Sequence, residues 1–144
     1  MSAQFSLAGL LRLRKLQEDQ RAAELNSARD RESVGAARTR RIRAELSHTN
    51  ESPAEHASLA SIAATRASSA SLLSELDEVD AQNAAEVAIA ASAHADAHRK
   101  TLGLEKLEER FLQQRTAEEL RQEQLLLDDL SSRAWHTAQG EEKP

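Results

Sequence analysis

One short stretch, Ser47-His48-Thr49-Asn50-Glu51-Ser52-Pro53-Ala54-Glu55-His56, limits what this chain can fold into. It holds the only proline before the C-terminal residue, and sequence of helical composition lies on both sides of it. Pro53 has no amide hydrogen to donate and pushes Ser52 away from helical backbone angles, so a helix arriving from the N-terminal side stops here. The same residues suit a new start, with Ser52 as cap, Pro53 at the first helical position and Glu55 three residues after the cap. One helix in, a tight turn and one helix back make a hairpin. The alternatives are a proline kink in one long helix and a solvated linker.

Composition supports long helices over a globule. The chain has no tyrosine, one tryptophan and two phenylalanines, so the residues that normally dominate buried area are nearly missing. Hydrophobic residues reach 40% mainly through alanine, which buries little, and charged residues make up 30%. Such an Ala, Glu, Leu and Arg mixture marks long helices or coiled coil. There is no cysteine, which excludes disulfides and thiolate metal sites. The apolar patch Leu7-Ala8-Gly9-Leu10-Leu11 precedes Arg12, Arg14 and Lys15, the reverse of a secretory signal. No run approaches the roughly 18 apolar residues that a membrane span needs. The expectation is a soluble, cytoplasmic protein.

The fold class expected is all-α, a single antiparallel coiled-coil hairpin. Helix one spans about 4–47, the turn about 48–55, the longer helix two about 56–137, and 138–144 is a frayed tail. Alternating steps of three and four along helix one give Leu7, Leu11, Arg14, Glu18, Arg21, Leu25, Ala28, Glu32, Gly35, Thr39, Ile42 and Leu46. This seam is too polar for a leucine zipper. Gly35 marks a soft spot or a close approach. On helix two the seam reads Leu59, Ile62, Arg66, Ser69, Leu73, Leu76, Asp80, Asn83, Val87, Ala90, His94 and Ala97, with Asp80 and Asn83 as register-fixing polar positions. Gly103 is a second interruption, and leucines thicken after it.

At about 1.5 Å per residue, helix two outruns helix one by some tens of ångströms. A hairpin closed at the proline puts Phe5 near His98, and most of Lys100–Trp135 then has no intramolecular partner. Its leucines, above all Leu125, Leu126 and Leu127, form an uncovered stripe of the kind that marks a binding surface. Charge agrees with intrachain pairing. Residues 1–47 carry ten Lys and Arg against six Asp and Glu, while 48–98 carry one Arg against eight acids. A basic arm facing an acidic one favours the hairpin over like-on-like dimers.

Sites for chemistry are scarce. The four glycines are scattered, so no phosphate-cradling loop exists, and no nucleophile has a base and an orienting group nearby. The chain is not expected to be an enzyme, and no cofactor is expected. His94 and His98, four apart, share a helix face, but Ala95 stands where a zinc protease has glutamate, and two exposed histidines are the plainer reading. No metal is expected. Arg38, Arg40, Arg41 and Arg43 lack interleaved aromatics and sit in an acidic chain, so a solvated basic face is favoured and nucleic acid is not expected as a partner. Trp135 either anchors a partner or packs on nearby leucines.

The chain ends carry a family pattern. Phe5-Ser6-Leu7-Ala8-Gly9-Leu10-Leu11-Arg12 with Gln17-Glu18, and Leu104-Glu105-Lys106-Leu107, Arg121 to Glu123 and Leu127-Asp128-Asp129, resemble the FliJ family of flagellar export proteins. Asp129 departs mildly, since the family usually has glutamate there. The resemblance implies an antiparallel coiled coil similar to the central stalk of rotary ATP synthases. It implies insertion of the paired ends into the flagellar export ATPase hexamer, promoting its assembly and activity. It further implies contact with the cytoplasmic domain of the export gate, an escort role for export chaperones, and a peripheral place at the cytoplasmic face of the membrane near the flagellar base. Partner binding is expected at Phe5, Leu7, Leu11, Arg14, Leu125, Leu127 and Leu130. The rival reading is a generic coiled-coil tether or stator-type stalk.

Replacing Pro53 by alanine is expected to change stability by no more than about 1 kcal/mol, because a first-turn proline has no donor to lose. Raised helicity with a longer maximum dimension in small-angle scattering would instead favour the kink.

Overall fold

The computed structural model describes residues 4–50 and 59–140, which form two helices, α1 (Ala8–Asn50) and α2 (Leu59–Gly140). There is no strand among the described residues. The helices pair as an antiparallel hairpin, and α2, with 82 residues against 43, is the longer. His48, Thr49 and Asn50, read from sequence as the start of the turn, still belong to α1. Ser52, Pro53 and the rest of the expected turn lie outside the described residues, as do 141–144 of the expected tail.

Both helices are built from residues with high intrinsic helix propensity, with no long β-branched run. Pairs such as Arg21–Glu24 at 2.7 Å, Arg115–Glu119 at 2.9 Å and Arg133–Asp129 at 2.9 Å add a few tenths of a kcal/mol each along exposed faces. α2 runs through Gly103, which the sequence suggested as an interruption. A glycine costs about 1 kcal/mol in a helix, and strong formers on both sides absorb it.

The chain divides into two units, Arg14–Lys100 and Met1–Leu13 with Thr101–Pro144. In Arg14–Lys100, the contacts Glu18–His98, Arg31–Glu86 and Arg43–Asp77 run in opposite directions along the two helices. His98 Nδ1 lies 2.7 Å from a Glu18 carboxylate oxygen, and the Arg31 guanidinium lies 3.0 Å from Glu86. The buried and half-buried positions of α1 here include Leu25, Ala28, Glu32, Gly35, Thr39, Ile42 and Leu46, and those of α2 begin at Ser69 and repeat through Leu73, Leu76, Asp80, Asn83, Val87, Ala90, His94 and Ala97. Steps of three and four connect them, as a coiled-coil seam requires.

Two corrections to the expected seam belong to this unit. Arg21 is exposed and Ala22 takes the inward place, since the smaller side chain lets the helices approach. Leu59, Ile62 and Arg66 are exposed too. With Arg43 on Asp77, the end of α1 at Asn50 falls opposite the region of Ser69, so the first turns of α2 face no part of α1.

Gly35 is a close approach. A Cβ built there would meet Asn83 Nδ2 at 2.9 Å and Asp80 Oδ1 at 3.1 Å. One turn on, Thr39 is 3% exposed and its hydroxyl has no hydrogen-bond partner.

In the other unit, Phe5 packs against Phe111, with ring centroids 5.7 Å apart and planes tilted by 45°. The expectation that Phe5 lies near His98 is therefore wrong. It assumed reversal at the proline, whereas the observed contacts reverse several residues later. The Ala8 amide donates to the Phe5 carbonyl at 3.1 Å and the Leu11 amide to the Leu7 carbonyl at 2.9 Å, leading the chain into α1. Ala8 faces inward and Leu7 sits at the rim, another exchange of a longer side chain for alanine. The α2 positions buried or half-buried in this unit are Thr101, Leu104, Glu105, Glu108, Phe111 and Arg115.

A buried hydroxyl without a partner costs about 1–3 kcal/mol of desolvation, so Thr39→Val is expected to raise stability by roughly 1 kcal/mol. Urea unfolding checks this, and a loss of stability would show that the hydroxyl is satisfied in solution.

Candidate partner-binding surface

Beyond Arg115 the character of α2 changes. Every residue from Thr116 to Thr137 is exposed. Among them Leu120, Leu125, Leu126, Leu127, Leu130 and Trp135 keep 57–65% of their surface in water. The Trp135 ring meets its neighbour His136 edge-on, with ring centroids 5.7 Å apart. Single exposed leucines are ordinary, but five leucines and a tryptophan within four to five turns of one helix make an apolar surface that invites cover.

The residues expected to bind partners fall into separate environments. Leu125, Leu127 and Leu130 are exposed, and Leu7 is exposed at the rim of its own unit. Leu11 is buried at 5% and Phe5 half-buried on Phe111, so both side chains serve the packing of their unit. Arg14, in the other unit, is half-buried and donates to the Gln17 side chain at 2.9 Å. Phe5 is not brought to the leucines of the extension, of which Leu120 lies about 14 Å and Leu125 about 21 Å beyond Phe111 along α2 at 1.5 Å per residue.

Other candidates are placed plainly. The His94 and His98 rings stack 6.3 Å apart and 10° from parallel, and His98 turns to Glu18. No group of three or more His, Cys, Asp or Glu side chains that could hold a metal ion occurs among the described residues. In the arginine cluster, Arg43 reaches Asp77, while Arg38, Arg40 and Arg41 are exposed. No helix among the described residues is long and apolar enough to cross a membrane.

Two helices of unequal length with an unpaired leucine-rich extension suit an assembly component. The family model of the flagellar FliJ protein matches residues 3–140. The chain belongs to the flagellar FliJ family. FliJ proteins are structural components of the flagellar protein export apparatus, and the exposed extension belongs to a component of that machinery. No curated protein and no solved structure matches the chain.

The exposed leucines follow from the unequal helix lengths, whereas the pairing of Phe111 with Phe5 was not expected from the sequence. The signal available was the pair of phenylalanines itself, the only two in an aromatic-poor chain. Leu11→Ser is expected to lower the unfolding free energy by about 2 kcal/mol or more through loss of a buried side chain. Leu127→Ser is expected to change it by no more than about 0.5 kcal/mol. Urea titration of both variants decides, and equal losses would mean that Leu127 is packed within the isolated chain.

Proposed function

We propose that this chain is the stalk-like activator and assembly factor of the flagellar export ATPase ring, with the leucine-bearing extension of α2 as its main contact. The observation that carries the reading is the full exposure of α2 from Thr116 to Thr137, leucines included. A stalk inside a ring needs a stiff helical support and an apolar surface left over after the support has packed, and it needs no active site. The exposed Leu7 is a second contact, with the Phe5–Phe111 pair holding the N-terminal segment of its unit in place. Arg14 adds a cation for the same partner. On this reading the chain also links the ring to the cytoplasmic domain of the export gate, receives export chaperones, and works in the cytoplasm at the membrane face near the flagellar base.

Burying one leucine is worth about 2 kcal/mol, and tenfold in affinity is about 1.4 kcal/mol. The double variant Leu125→Ser with Leu127→Ser is therefore expected to bind the cognate export ATPase at least tenfold more weakly in calorimetric titration, at unchanged helicity by circular dichroism. Unchanged affinity at unchanged helicity would remove the extension as the binding surface.

A further inference from the structure

Leu120, Leu127 and Leu130 of the extension do not continue the side of α2 that packs within its unit, whereas Leu126 returns to that side and Leu125 lies across the helix from them. That side runs through Thr101, Leu104, Glu108, Phe111 and Arg115. At 3.6 residues per turn, the row Leu112, Thr116, Leu120, Glu123, Leu127 and Leu130 lies roughly a quarter turn away around the helix. Acids line this row: Glu109 stands at its head, Glu123 within it and Glu119 at its edge, while Arg110 and Arg121 fall on the far side of the helix together with Glu118 and Asp128. Of the bases at its margins, Arg115 is held by Glu119 at 2.9 Å and Lys106 borders the opposite edge. Between Leu112 and Leu120, the small side chains of Thr116 and Ala117 leave a shallow depression that Glu108 and Glu109 border.

We propose that this acidic, leucine-bearing face docks a partner segment that is apolar and flanked by lysine or arginine. A bulky apolar side chain of the partner seats over Thr116 and Ala117 between the two leucines, and its cations meet Glu109 and Glu123. The inference rests on the reading of the extension as the partner-binding surface, and adds which face is used and what chemistry covers it. Charge complementarity selects the partner: an acidic rim rejects an acidic segment and steers a basic one. A second copy of the chain is the poorer occupant, because its own face brings the same glutamates to the contact.

The test titrates the full chain with the cognate export ATPase at low and high salt. Its variants are Glu109→Lys with Glu123→Lys, the milder Glu109→Gln with Glu123→Gln, and Ala117→Leu, all at exposed positions. Charge reversal is expected to weaken binding at least tenfold at low salt and to flatten the salt dependence, with the glutamine pair intermediate. Filling the depression with Ala117→Leu is expected to weaken binding at both salt concentrations. A photo-cross-linking residue at position 117 is expected to capture an apolar ATPase segment with Lys or Arg beside it. If charge reversal leaves affinity unchanged while Leu125→Ser with Leu127→Ser loses it, the surface stands and the proposed chemistry is wrong. If neither pair of changes matters, both this inference and the reading beneath it fail. Cross-linking to an acidic segment, or to a second copy of the chain, would also overturn the proposal.

Discussion

The contact of Gly35 with Asn83 and Asp80 shows what holds the two helices of Arg14–Lys100 in register. Among the described residues of this unit only Leu25 and Ala28 are buried apolar side chains, so bulk hydrophobic packing cannot select one alignment. Close approach does that instead. Glycine opposite Asn83 and Asp80 leaves room for their polar ends, and a slip of one heptad would set Leu73 and Leu76, or Val87 and Ala90, at that place. The same slip would separate Arg31 from Glu86 and Arg43 from Asp77. Each exposed ion pair is worth little by itself. Polar layers of this kind cost stability and return specificity of register.

That alignment has a consequence at each end of α2. Its first turns, from Leu59, pass beyond the end of α1 and are exposed. At the other end, among the described residues of Met1–Leu13 with Thr101–Pro144, half-buried positions of α2 extend to Phe111 and Arg115, and 116–137 are exposed. α2 carries exposed leucines beyond Arg115, and membership of the flagellar FliJ family makes the chain a component of the flagellar export apparatus.

Much of this was legible in the sequence. Spacing by threes and fours located the α2 seam from Ser69 to Ala97, and the polar pair Asp80 and Asn83 in it. What spacing could not supply was the offset between the helices. In a seam of alanine, threonine, glycine and glutamate, neighbouring frames bury nearly equal apolar area, so Leu7 and Ala8, or Arg21 and Ala22, compete almost evenly from sequence. The point of reversal was assigned to Pro53 because proline is the strongest local signal, and that placed Phe5 at His98 instead of Phe111. The leucines of the extension were countable, but the quarter-turn offset of Leu120, Leu127 and Leu130 from the packed side depends on which α2 residues α1 actually covers.

Among the described residues, helix pairing ends near Arg115 and leaves α2 unsupported from Thr116 to Thr137. Hydrogen exchange of the isolated chain, read residue by residue, tests this most directly, because exchange reports local opening free energy. Exchange is expected to be slow from Ser69 to Arg115, and faster by orders of magnitude from Thr116 to Thr137, where it slows when the export ATPase is added. Equal, strong protection through Thr137 in the isolated chain would contradict it.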